Sequence, residues 1–206
     1  MKVIVFGATG HTGRQLVKQL VQAGHQVTAF ARTPSKVNTF DGKVKVAQGD
    51  ATDPASVRRA VKGQHAVFHA LAQAVTEKSN IQTIFAVNLL EAMETEGVKR
   101  LIMLSALGSG DSWDQASLLV KFVHKVALKN FFADKDQAEA KIIQSSLNYT
   151  LVRPAVLSNG KRRGNVKASL KSGLLKQRIS RADVAAFMIE QLDSSKWERK
   201  APLIGY

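Results

Sequence analysis

The chain has no cysteine, which excludes disulfides, thiolate nucleophiles and zinc sites of the cysteine type. No apolar run approaches the ~18 residues of a membrane span. The opening apolar run is too short for a signal peptide and passes straight into a strand, so a cytoplasmic location is expected. Acidic residues are scarce, 16 Asp and Glu against 30 Lys and Arg for a formal net charge of +14, and none stands before Asp41. Such an excess suggests attraction to polyanions. It is uneven: eleven basic residues face four acids between Lys161 and Lys200, and Lys121, Lys125 and Lys129 fall at helical spacing. Too few aromatic residues interleave with these charges for a nucleic-acid platform. A solvated basic face is the reading, and nucleic acid is not an expected partner. What is left, 206 residues of which 45% are hydrophobic and 22% charged, fits one domain, residues 1–206, with a sizeable core.

Against these absences, the first fourteen residues are dense in information. β-formers at Val3 to Phe6 stop at Gly7, glycine recurs at Gly10 and Gly13, and Leu16, Val17, Leu20 and Val21 then mark one helical face ending near Gly24. Strand, glycine turn and helix in that order form the entry unit of a nucleotide-binding sheet. A pyrophosphate must approach the backbone closely, beside a helix N-terminus with free N–H groups and partial positive charge. The spacing is Gly-x-x-Gly-x-x-Gly rather than Gly-x-Gly-x-x-Gly.

Strand and helix patterns alternate along the rest of the chain, which predicts an α/β, Rossmann-like, doubly wound parallel sheet with a small C-terminal segment on the substrate side. Strands are expected at His25 to Arg32, Lys43 to Gln48, His65 to Leu71, Arg100 to Leu104 and Tyr149 to Val152. Helices are expected after Asp53-Pro54, with Asp as N-cap and Pro at N1, across Ile81 to Glu96, and from Arg181 to Leu192. Helical sequence between Trp113 and Ser146 is expected to break near Asn130 to Asp134. The basic tail reads as glycine-punctuated and ends in a short apolar stretch at Leu203-Ile204.

The strands' carboxyl ends select the ligand face. The second strand ends in Arg32-Thr33-Pro34-Ser35-Lys36, where a site for the unphosphorylated dinucleotide usually places an acid. A carboxylate repels a 2′-phosphate, whereas arginine binds it through parallel charge-assisted hydrogen bonds, so NADP(H) is expected over NAD(H). Asp50, ending strand three, is placed either to meet an adenine edge or to cap the following turn. The histidines show no metal-ligand spacing, and His69, ending an apolar strand, reads as a satisfied buried histidine.

Several short segments in order carry a more specific likeness: Gly-Ala-Thr-Gly-His-Thr-Gly at 7–13, Phe-Ala-Arg-Thr-Pro-Ser-Lys at 30–36, Gly-Asp-Ala-Thr-Asp at 49–53 and Leu-Ser-Ala-Leu-Gly at 104–108, followed by residues 135–139, 146–154 and 179–185. In these the chain resembles the atypical, small branch of the short-chain dehydrogenase/reductase superfamily, in the group of NmrA-like proteins and biliverdin-IXβ/flavin reductases. The resemblance implies that Gly7 and Thr9 to Gly13, including Gly10, His11 and Thr12, hold the pyrophosphate. It implies that Arg32 and Lys36 hold the 2′-phosphate and that Asp50 and Ala51 contact adenine. Leu71 and Ala72 would lie beside the ribose and nicotinamide, Ser105 would be the catalytic-group serine, and Pro154 to Val156 would form the nicotinamide wall.

Two departures redirect the chemistry. The superfamily's Tyr-x-x-x-Lys helix uses the lysine to lower the tyrosine pKa and the tyrosine to protonate a carbonyl. Lys135 fits the lysine, but Phe131 stands four residues earlier and cannot transfer a proton. The biliverdin reductase branch carries a histidine where this chain has Val156, so biliverdin reduction is not implied. Hydride transfer to a flavin or quinone needs less from an enzymic acid, because water can protonate the product. The expectation is an NADPH-dependent reductase of a flat aromatic or quinonoid small molecule, working as a monomer or weak homo-oligomer. Ser105 either hydrogen-bonds the acceptor or ties its strand to the loop, and Lys135 either reaches the nicotinamide ribose or is an exposed helix lysine. A non-catalytic NADP(H)-binding redox sensor of the NmrA-like type is the alternative.

Overall fold

The computed structural model describes residues 1–71, 80–115, 129–171 and 178–206, excepting the side chains at 114, 115 and 129–131. The opening strand, β1 (Lys2–Phe6), is apolar on both faces because both faces are covered. Val3 and Val5 pack into one core and Ile4 and Phe6 into the other. Such continuous apolar runs are the mark of a parallel strand between two helical layers. On the first face lie α1 (His11–Gln22) and α5 (Arg181–Glu190), through Leu16, Val17, Leu20, Val184 and Met188. On the second lie α2 (Pro54–Val61), α3 (Ile81–Thr95) and α4 (Lys129–Gln144), through Val57, Phe85, Leu89, Ala138 and Ile142.

The remaining strands of the main sheet are β2 (Gln26–Ala31), β3 (Val44–Gln48), β4 (Ala66–His69), β5 (Arg100–Leu104), β6 (Asn148–Pro154), β8 (Lys167–Ser169) and β10 (Leu203–Gly205). They run in the order β3-β2-β1-β4-β5-β6-β10-β8, parallel throughout except for β8 against β10. The chain winds outward from β1 to β3, then returns to β4 on the other side of β1. That reversal opens a crevice at the carboxyl ends of β1 and β4.

Helix ends explain where each helix starts. Asp53 accepts from the N–H groups of Ala55 and Ser56, with Pro54 at N1, as the sequence indicates. α3 is capped from outside itself: its N-cap Asn80 makes no side-chain bond, while Asp134 of α4 accepts from the N–H groups of Gln82 and Thr83, each at 2.9 Å. This corrects the expected helix break near Asn130 to Asp134, since α4 runs continuously from Lys129 to Gln144. Asp competes with a helix when its carboxylate turns onto its own backbone; here it is spent on α3. Residues 121 and 125 of the lysine series fall outside the described residues.

The basic tail also departs from expectation. It holds three short strands: β7 (Val156–Ser158), which pairs with β9 (Arg178–Ser180) in a separate two-stranded sheet, and β8 on the edge of the main sheet. Each is three residues long and paired only with distant partners, so no local period announces it. Among the described residues no helix is long and apolar enough to cross a membrane.

Candidate active site

The three glycines of the first turn have different jobs. Gly7 takes φ +81°, and a Cβ there would lie 2.3 Å from the Ala70 carbonyl oxygen. A Cβ on Gly13 would lie 2.0 Å from the Gly7 carbonyl oxygen. Both are demanded by the protein's own packing of turn against helix and strand. Gly10 has ordinary extended backbone, and its Cβ would meet only the Gly7 carbonyl oxygen, at 3.3 Å. The protein itself does not need the missing side chain at Gly10; a ligand lying against the turn would. Gly10 is also the N-cap of α1, which has no side-chain cap bond and no acid in its first turn, whereas α2, α3 and α5 are capped by Asp53, Asp134 and Ser180. The first N–H groups of α1 are thus left for an anion.

A cleft of about 390 Å³ runs from this turn over β2 and β3, lined by Gly7, Thr9, Gly10, Arg32, Asp50, Ala51 and Leu71 among others. Among the described residues Asp50 is its only carboxylate. It accepts from the N–H and hydroxyl of Thr52, both at 2.8 Å, and these bonds, together with the Arg32 charge, hold its carboxyl below the usual range. Asp50 therefore both caps the turn and faces the cleft. Arg32 lines the cleft, but Lys36 is exposed in the turn at Pro34–Lys36 and does not.

A second cleft of about 200 Å³ shares Gly10 and Leu71 with the first. His11, Thr12, Ala70, Leu104, Ser105, Ala106, Lys135, Leu157 and Arg181 complete its lining. Ser105 is only 4% exposed, and its Oγ has no hydrogen-bond partner among the described residues. Among the described residues its hydroxyl does not tie its strand to the loop; its backbone N–H donates to the Val152 carbonyl of β6 at 2.7 Å. A buried hydroxyl without a partner is costly, and here it lines a cleft. Lys135 is 5% exposed, not a surface helix lysine. Its ammonium lies 3.4 Å from the Leu104 carbonyl oxygen, and burial lowers its pKa against the opposing carboxylates of Glu139, Asp134 and Asp136.

The floor between the clefts is fixed from below. The Leu71 N–H donates to His69 Nδ1 at 3.3 Å, and its carbonyl accepts from Gln82 Nε2 at 3.0 Å. His69 is buried as expected but only half satisfied, since Nε2 has no partner among the described residues. Burial and the Lys135 charge push its pKa down to about 3. α4 is held in turn by Arg153 of β6, whose guanidinium bonds the buried Glu139 at 2.6 Å and reaches Asp111.

Not every expected residue reaches the clefts. Gly13 packs inside the turn, Pro154 lies in β6 with its carbonyl accepting from Leu107, and Val156 is 53% exposed. Leu157 lines the second cleft instead. Ala72 falls outside the described residues, as does the side chain of Phe131. Leu157 belongs to the stretch Pro154 to Leu157 that the strand ends select, whereas sequence reasoning missed Gln82 and gave Arg181, within residues 179–185, no role; nothing local shows that this arginine lines the same cleft as Ser105.

A family profile described as NAD(P)H-binding matches residues 7–195. An uncharacterised Arabidopsis thaliana protein, named as chloroplastic, is 30% identical over 93% of this chain and 71% of its own length. YhfK of Bacillus subtilis, named as an uncharacterised sugar epimerase, is 29% identical over 98% of this chain and 92% of its own. Among solved structures, the oxidoreductase YlbE of Lactococcus lactis superposes with TM-score 0.87 at 22% identity, over 100% of this chain and 90% of that one. ChuY, an anaerobillin reductase of Escherichia coli O157:H7, gives 0.84 at 23% identity, over 100% and 97%. A Veillonella parvula short-chain dehydrogenase/reductase in complex with NADP gives 0.82 at 19% identity, over 100% and 94%. At these identities the structures establish a shared Rossmann-like fold.

Proposed function

The chain belongs to the NAD(P)H-binding family, and from that premise we propose that it is an NADPH-dependent reductase of a flat conjugated acceptor such as a flavin or quinone. The observation that carries this reading is the second cleft: an apolar pocket continuous with the dinucleotide cleft, holding a buried unpartnered hydroxyl and a buried lysine, with no tyrosine among its lining residues.

When bound, the reduced nicotinamide supplies a hydride to the acceptor ring, and a proton from water completes the two-electron product. The chain's own residues do the rest. Gly10 and the uncapped start of α1 seat the pyrophosphate, and Arg32, in a segment free of carboxylates, takes the 2′-phosphate. Asp50 accepts from the adenine amino group. Lys135, held between Leu104 and the acids of its helix, donates to the nicotinamide ribose. Leu71, Leu104 and Leu157 exclude water and stack against the acceptor, and Ser105 donates to an acceptor carbonyl where negative charge grows in the transition state. Carbonyl substrates need a proton donor whose contribution is typically ~10²- to 10⁴-fold, and Phe131 removes it.

NADPH oxidation measured side by side with FMN, a soluble quinone, a simple ketone and an aldehyde tests the reading. Turnover with flavin or quinone and none with the carbonyls is expected. Ketone turnover at the flavin rate would reveal another acid, and tight NADPH binding without any turnover would replace the reductase with the NmrA-like sensor.

A further inference from the structure

The rim of the second cleft carries positive charge that the proposed reaction does not use. Arg181, the first residue of α5, lines the cleft together with Ser105, Lys135 and Leu157. Its Nη1 donates to Asn159 Oδ1 at 2.7 Å, and it forms no ion pair among the described residues. Among the described residues no carboxylate lines this cleft. The nearest acid in the same helix turn, Asp183, is buried and fully engaged. It accepts from the backbone N–H groups of Arg163 and Gly164, from the Ser180 hydroxyl and from the Tyr206 hydroxyl. It has no capacity left for Arg181.

An arginine held on one side by a neutral amide presents its remaining donors as a fork for a carboxylate or phosphate. The buried Ser105 Oγ, which has no partner among the described residues, lies in the same cleft and marks the space as one a ligand completes. The apolar floor and the cationic rim ask for a molecule with two different ends.

We propose that Arg181 is a specificity-determining residue that selects acceptors whose flat ring carries an anionic arm, with the ring on the leucine floor and the arm's carboxylate or phosphate on the guanidinium. The proposal rests on the reductase reading for what enters the cleft, but the anion contact is measurable without turnover.

FMN and riboflavin share one ring and differ in the phosphate, so they isolate the contact. With the full chain saturated with NADP⁺, quenching of flavin fluorescence should give FMN about tenfold tighter binding than riboflavin, equivalent to ~1.4 kcal/mol. Arg181→Gln should abolish that difference by weakening FMN while leaving riboflavin within about twofold, and Arg181→Lys should restore part of it. A carboxylated naphthoquinone against its methyl ester separates carboxylate from phosphate recognition: a loss confined to one arm assigns the anion, and a loss in both assigns a general anion contact. Arg162→Gln, outside the cleft, removes the same charge and should change nothing. Equal FMN and riboflavin affinities in the unaltered protein, equal losses of both in Arg181→Gln, or the same loss in Arg162→Gln would overturn the proposal. If the FMN preference holds but no acceptor oxidises NADPH, the reductase reading falls and the anion contact stands.

Discussion

The two clefts meet at Gly10 and Leu71 yet are built on opposite principles. The larger one mixes polar turns that follow β1, β2 and β3 with apolar lining from Phe30, Ile81 and Ile84, and its charged groups, Arg32 and Asp50, stand exposed or half-buried at the edge. The smaller one is apolar, and below its Arg181 rim it holds buried polar groups: Ser105, whose hydroxyl has no partner among the described residues, Lys135 beside carboxylates, and His69 beneath the floor. One region recognises a constant, charged ligand by backbone shape and surface charge. The other keeps unsatisfied donors out of water, an arrangement that raises their electrostatic worth at the cost of stability. Binding and chemistry should therefore separate under mutation, and stability should respond differently on the two sides.

The largest effects belong to the glycine turn, where the comparison is internal. Gly13→Ala places a Cβ against backbone and should destabilise the fold by about 3 kcal/mol or more. Gly10→Val has nothing in the protein to collide with beyond one contact at 3.3 Å. It should leave the thermal midpoint nearly unchanged while weakening NADPH by about 100-fold, equivalent to ~2.7 kcal/mol. Thermal melts and calorimetric titration, read together, check the pair. If Gly10→Val unfolds the protein, the turn is structural at all three glycines.

Next comes the larger cleft's choice of phosphate. Arg32→Ala should lower NADPH affinity about tenfold and leave NADH alone, since one charge-assisted contact is worth roughly 1.5–3 kcal/mol. Titration of both cofactors against both proteins measures it; equal losses would mean that Arg32 does not read the 2′-phosphate. The corresponding change in the smaller cleft, Ser105→Ala, should have the opposite balance. Acceptor kcat/KM should fall about tenfold with NADPH affinity kept, while the fold is unchanged or firmer by up to about 1 kcal/mol, because an unpaired buried hydroxyl has been removed. A Ser105→Ala protein that is clearly less stable would show that the hydroxyl has a partner in solution.

The same division explains what could be read from the sequence. The glycine turn, Asp53-Pro54, Arg32 and the alternation of strands and helices are local patterns, each spanning a turn or a strand, and periodicity and capping chemistry report them directly. The smaller cleft is assembled from the ends of β5, α4, β7 and α5, whose lining residues are 22 to 77 positions apart. Ser105 follows from its place at a strand's carboxyl end, Lys135 was reachable only through a family likeness, and Arg181 was quoted within residues 179–185 but given no role. The misplaced helix break has the same origin. Asn130 and Asp134 argue locally against a helix, and only the position of α3 shows that Asp134 caps a neighbour. Leu157 replaces Val156 at the cleft because β7 pairs with β9, and a strand's alternation decides which side chain faces in.

The smallest expected effect concerns the floor that joins the two clefts. His69 accepts the Leu71 N–H on Nδ1, so its proton in the neutral form sits on Nε2, beside the Phe85 ring at a centroid distance of 4.8 Å. Burial and the Lys135 charge lower its pKa to about 3 from an ordinary value of 6.5. An unfolded chain therefore binds a proton at this residue between those two values while the folded chain does not. More protons bound in the unfolded state means stability that rises with pH, by at most about 1.4 kcal/mol per pH unit. The contribution is complete above pH 6.5 and is lost progressively as pH falls toward 3. His69→Asn keeps an acceptor near the Nδ1 position for Leu71 but cannot titrate. It should be less stable than the unaltered protein at pH 8, because the smaller side chain leaves space against Phe85, and should show a shallower decline between pH 6.5 and 4.5. His25, whose pKa is also lowered by burial and the N-terminal charge, is present in both proteins and cancels in the comparison. Denaturant unfolding at half-unit pH steps provides the slopes. Parallel slopes would mean that His69 is protonated in the folded protein, with Nδ1 a donor and the Leu71 N–H released, and the shared floor of the two clefts would then have to loosen as pH falls.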